Sequence, residues 1–193
     1  SETYSLKNQN MTLDDAINEA SKSFKLCEKS DINFVMAIGV AFYCPYDGVI
    51  SNEKILSVVE RLYNKGIRKV YLAASTGMEN PSNINYVFNK IRDKFLDLDG
   101  GFHVHDRIGL AATNMFSALD AGASSIEGSI CGIGGGIAMP HGTGDYGNLP
   151  TEDIVTMLNR SNIETLLDTQ KVHETAQKIA SLLKINSSSR TNI

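Results

Sequence analysis

The sequence predicts an α/β fold built from parallel β–α units. Three observations carry this. Short runs of branched and aromatic residues recur along the chain, each gives way to a stretch of helical periodicity, and glycine-rich segments lie between strand and helix. Strands that alternate with helices pair side by side as a parallel sheet, because the crossover helix returns the chain to the same end.

The elements follow in order. Thr12 to Asp15 reads as a capping box, and Ile17, Ala20, Phe24 and Leu26 supply the apolar face of the helix it starts. "NFVMAIGVAFY" (33–43) reads as one buried strand, broken off by Pro45 and Gly48. Ser51 caps a helix with Ile55, Val58, Val59 and Leu62 inward, and Gly66 ends it. "RKVYLAA" (68–74) is the second strand, and residues 82–96 the next helix, with Ile84, Val87, Phe88 and Ile91 inward. A third strand spans 101–105 and its helix 110–121. "SSIEGSI" (124–130) is a fourth strand, less apolar than the others. Helices begin at Thr151 and near residue 168, and the tail 186–193 is expected to be disordered. Residues 1–185 thus form a single domain. Four parallel strands cannot close an eight-stranded barrel, so periodicity leaves open a small sheet or half a barrel.

The totals exclude several classes. A net charge of −4 without a Lys/Arg stripe argues against a nucleic-acid partner. The longest apolar run, Phe34 to Tyr43, falls short of the roughly 20 residues of a membrane span. Three cysteines at unrelated spacings, Cys27, Cys44 and Cys131, argue against a disulfide framework and for a reducing compartment. A cytoplasmic location is expected, or an organelle if a targeting segment precedes Ser1.

The chemically suggestive residues fall after strands and before helices, which in a parallel sheet is the C-terminal rim. His103 and His105 share one strand face because side chains alternate. Two neutral imidazoles so placed suit a divalent metal, or are two satisfied polar residues at a strand end. Asp106 is a candidate ligand or an acceptor that fixes a histidine tautomer. Cys44 reads as a nucleophile if a base is near, and otherwise as a small buried thiol. Ser75 and Thr76 read as caps or turn formers, and His173 as structural. The loop "CGIGGGIAMPHGTGDYGN" (131–148) holds His141 and Asp145. It lacks both a dinucleotide fingerprint and the Lys-Ser/Thr pair of a phosphate loop.

Four segments together resemble the 3-hydroxy-3-methylglutaryl-CoA lyase-like family, metal-dependent lyases on a TIM barrel. They are "SETYSLKNQNMTLDDA" at the start, "CPYDG" (44–48), "HVHDRIGLAATNMFSALDAGASSIEGSICGIGG" (103–135) and "GNLPTEDIVTML" (147–158). The resemblance implies strands five to eight of such a barrel, and carbon–carbon cleavage of an acyl-CoA-like substrate. It implies a divalent metal, Mg or Mn rather than Zn, on His103, His105 and Asn148. His103, Asp106 and His141 are the catalytic candidates, with His141 in the proton-moving role of the family's loop cysteine. That cysteine falls at Gly136. The family's strand-one Arg-Asp pair has no counterpart, and Ala74 stands where the family has an aspartate. Half a barrel should leave strand edges and an apolar interior open, so the chain is expected to pair with a copy of itself or with an N-terminal half.

Overall fold

The computed structural model describes residues 1–135 and 147–191. Two helices open the chain, α1 (Glu2–Gln9) and α2 (Leu13–Lys29), and then β1 (Met36–Ile38). A hairpin of β2 (Tyr43–Cys44) and β3 (Gly48–Val49) leads to α3 (Asn52–Asn64), β4 (Lys69–Ala74), α4 (Pro81–Lys94) and β5 (Asp99–Val104). There follow α5 (Ala111–Asp120), β6 (Ser125–Glu127), a 3-10 turn at Ile130–Gly132, α6 (Thr151–Arg160) and α7 (Thr169–Leu183). The sheet runs β1-β4-β5-β6, every pairing parallel, in chain order.

Local chemistry explains most of these boundaries. Thr12, Ser51 and Asn80 each accept a backbone N–H of the helix they precede, and Pro81 fills the first turn of α4, where no donor is needed. Ile84, Val87, Phe88 and Ile91 are all buried. With Phe102, Val104 and Met115 they make the main core, packed between one face of the sheet and its helices.

Three expectations change. The run 33–43 is not one strand: β1 stops at Ile38 and Val40 takes a positive φ of 45°. Val40, Ala41 and Phe42 are nevertheless buried, so the run is apolar because it is enclosed, not because it is extended. Leu26 is 66 % exposed. Nine residues beyond Ile17, at about 100° per residue, it sits on the opposite side of α2. Thirdly, α1 was not foreseen, since its polar sequence carries little apolar periodicity.

The sheet face turned away from the helices also differs from expectation. Alternation places Tyr71 and His103 on it, together with the exposed Lys69, Asp99, Ser125 and Glu127. It is polar, not the apolar interior anticipated, because the sheet's large apolar side chains all lie under the helices. What stays open is the backbone of the two edge strands, β1 and β6, which have no further strand partner among the described residues.

The terminal segment is held where fraying was anticipated. Asp153 Oδ1 accepts hydrogen bonds from the backbone N–H of Arg190 and Thr191 at 3.1 Å each, and from the hydroxyls of Ser189 and Thr191 at 2.6 Å each. Ser187 donates to Glu152 Oε1, and Ser188 N to Cys131 O, both at 3.1 Å. Hydrogen bonds to a buried carboxylate contribute about 1.5–3 kcal/mol each, against the entropy of ordering the strap. Asp153→Ala is therefore expected to release residues 187–191, seen as loss of amide protection at Ser188–Thr191 by hydrogen exchange. Unchanged protection there would show that other contacts hold the segment.

Candidate active site

The C-terminal end of β5 fixes the centre of the site. His103 and His105 share the open sheet face, with ring centroids 5.1 Å apart and planes at 71°. The chain returns beside them at 147–149: Leu149 N donates to Val104 O at 3.0 Å, Asp106 N to Gly147 O at 3.3 Å, and His105 forms an antiparallel bridge with Asn148. Asn148, remote in sequence, is thereby brought to the histidine pair.

The amide of Asn148 is oriented by its Nδ2, which donates to Ile133 O at 2.8 Å and to Ser129 Oγ at 3.3 Å. Its Oδ1 is buried and makes no hydrogen bond. A buried acceptor without a donor is costly unless something else occupies it. Gly134 makes this close approach feasible, since a Cβ there would sit 2.3 Å from Asn148 Nδ2. The glycine-rich loop thus has a steric reason at this position.

His103 is mostly buried, and its pKa falls from 6.5 to about 4. Burial is the largest cause and the neighbouring His105 adds to it, while the nearby Asn148 side chain acts in the opposite direction. Its imidazole is neutral at physiological pH, the form a metal requires. A folded-state pKa below the unfolded one means that the unfolded chain binds the proton first. This contribution to stability is present above about pH 6.5 and is lost as pH falls towards 4, up to about 3 kcal/mol. His103→Gln is expected to flatten that part of the stability–pH curve, measured by urea unfolding at successive pH values. An unaltered slope would count against the burial argument.

His103 Nδ1 lies 3.2 Å from Glu127 Oε2 on the adjacent strand. Glu127 was not among the residues singled out from sequence. The available signal was a charged side chain inside the strand already noted as less apolar. Asp106 has one oxygen engaged and one open: its Oδ2 pairs with Arg190 Nη2 at 3.1 Å, and its Oδ1 is buried without a hydrogen bond. Asp106, Asn148, Asp153, Met157 and Arg190 line a cavity of about 350 Å³ at the rim.

Other candidates resolve to structural parts. Cys44 is buried with Ser1 Oγ 3.1 Å from its sulfur. Ser75 Oγ accepts from Val40 N, Thr76 bonds Glu79, and His173 Nε2 meets Thr156 Oγ1 at 3.0 Å. Ala74 is buried and provides no carboxylate. His141, Asp145 and Gly136 lie outside the described residues. Among the described residues no three His, Cys, Asp or Glu side chains converge into a metal-holding group, so any ion here needs the Asn148 oxygen or donors from elsewhere. No helix among them is long and apolar enough to cross a membrane.

Fold and site together define a partial TIM barrel, four parallel β–α units with their polar residues gathered at the C-terminal rim. The chain belongs to the HMGL-like family, whose sequence model matches residues 1–179. It is 30 % identical over 190 residues to the mitochondrial hydroxymethylglutaryl-CoA lyase of Pongo abelii, and 27 % to the cytoplasmic 3-hydroxy-3-methylglutaryl-CoA lyase of Mus musculus. Both alignments cover 98 % of this chain but only 58 % and 54 % of the relative. The chain thus spans just over half the length of these relatives. The HMG-CoA lyase of Bacillus subtilis superposes with a TM-score of 0.91 at 29 % identity, covering all of this chain and 63 % of that one. An Acinetobacter baumannii HMG-CoA lyase, solved with coenzyme A and 3-methylmalate, gives 0.88 at 27 %, covering 98 % and 61 %.

Proposed function

We propose that this chain is the half carrying strands five to eight of a metal-dependent lyase. Its substrate would be a 3-hydroxy-3-methylglutaryl-CoA-like thioester. The observation that carries the reading is the meeting of His103 and His105 with the unengaged Oδ1 of Asn148. Two imidazoles and an amide oxygen would hold the ion, and an oxygen-completed shell favours Mg or Mn over a closed zinc site. Bound there, a divalent ion supplies Lewis-acid stabilisation of charge developing on substrate oxygens.

The remaining work falls to side chains. Cleavage removes the proton of the tertiary hydroxyl, breaks the bond between C2 and C3 and leaves a ketone and a thioester enolate, which then takes up a proton. Asp106 keeps Oδ1 open to accept a hydrogen bond from the substrate hydroxyl, while Arg190 holds its other oxygen. His141, outside the described residues, would carry the proton, since an imidazole can both accept and give one. The acyl-CoA assignment draws support from the coenzyme A held by the Acinetobacter relative.

The family's strand-one Arg-Asp pair has no counterpart here, so activity is expected only in an assembly that supplies it. The open edges of β1 and β6 favour pairing with a second copy or an N-terminal half. A compact monomer in sedimentation at all concentrations would overturn that expectation.

Buried Ala74, where the family has an aspartate, favours a second reading: a relative that binds metal and acyl ligand without turning over. Mn²⁺ titration with an assay for acetoacetate separates the two. The chain would be tested alone and mixed with a polypeptide bearing strands one to four of a relative. Release in the mixture supports the lyase; binding without release supports the second reading.

A further inference from the structure

We propose that Glu127 is the positioning residue for His103: its carboxylate accepts a hydrogen bond from Nδ1–H and leaves the Nε2 lone pair for the site. Three observations support this. Parallel register sets His103 opposite Glu127 on the neighbouring strand, and alternation turns both side chains to the open face. The carboxylate oxygen stands 3.2 Å from Nδ1, a buried nitrogen that completes no hydrogen bond in the conformation seen. On its other side His103 pairs with Ala73 of β4, whose methyl group offers no acceptor.

A neutral imidazole carries one N–H, and the partner of that N–H decides which nitrogen keeps the lone pair. A small rotation of the Glu127 side chain straightens the contact into a hydrogen bond. Nδ1–H is then held, the ring cannot flip, and Nε2 is committed to the side where Asn148 approaches. Asp106, the residue next to the histidines in sequence, cannot take this part because its carboxylate is turned to Arg190.

The inference rests on the proposed metal site only for its effect on affinity; the tautomer itself needs no ion. The test therefore has two arms, on the full chain at a pH where the ring is neutral. Long-range ¹H–¹⁵N spectra of the metal-free protein are expected to show His103 as the Nδ1–H tautomer. Glu127→Ala should give mixed tautomers, and Glu127→Gln, whose amide oxygen still accepts, should largely restore the wild-type signals. In the second arm Mn²⁺ affinity is expected to fall about 10–100-fold in Glu127→Ala. Circular dichroism and the urea midpoint confirm that each variant is folded, and the glutamine variant answers the question if the alanine variant is not. His103 spectra unchanged in Glu127→Ala would overturn the proposal. Wild-type protein that binds no Mn²⁺ yet loses its Nδ1–H tautomer in Glu127→Ala would sink the metal reading and leave this one standing.

Discussion

Truncating Phe102 to alanine is expected to destabilise the chain by about 3–5 kcal/mol, the largest effect of any single core change. Phe102 is fully buried on the inner strand β5 and meets Phe42 and Phe88 edge-on, at centroid distances of 6.2 and 5.9 Å. Removing it opens a cavity where the sheet, α4 and the segment after β1 converge, and also deletes two aromatic contacts. Domains are stable by only about 5–15 kcal/mol, so such a loss leaves the variant marginal. Urea unfolding should show a midpoint lowered by about 1–3 M at an unchanged slope. A shift equivalent to less than 1 kcal/mol, taking ~1 kcal/mol as an ordinary single-mutant effect, would mean that the core does not unfold as one unit with this sheet.

Replacing His105 by alanine is expected to weaken Mn²⁺ binding by more than about 100-fold, a larger loss than removal of a residue that only supports a ligand. His105 is buried and shares its face with His103 beside Asn148, so truncating it takes away a donor while the backbone bridge that presents Asn148 stays in place. His173→Gln is the matched control: His173 is bonded to Thr156, far along the chain in α7, and its loss should leave affinity unchanged. Calorimetric titration of both variants is the measurement. Equal affinities in His105→Ala and wild type would remove His105 from the site.

Much of this was legible from local chemistry. Caps at Thr12 and Ser51 act over three residues, so the sequence that encodes them also shows them. The inward set Ile84, Val87, Phe88 and Ile91 follows from helical period alone. The failures have the same root in reverse. The run 33–43 is apolar through burial by distant elements, and no local rule separates an enclosed loop from a strand. Glu127 escapes a local reading because its meaning depends on which strand lies beside it, and the partner of Asp106 because it is distant in sequence. Arg190, 84 residues away, holds one oxygen of that side chain.

The sequence by itself determined the order of β–α units, the gathering of the candidate residues at the rim, and the shared face of the histidine pair, because period and alternation are properties of a chain that need no neighbours. Only the tertiary structure decided that Asn148 stands at His105, that Glu127 faces His103, and that residues 187–191 strap across α6. Those are contacts between residues 24 to 43 positions apart, and strand register and helix packing set them. Local pattern says which residues seek burial or a partner; the sheet's strand order says which partner they meet.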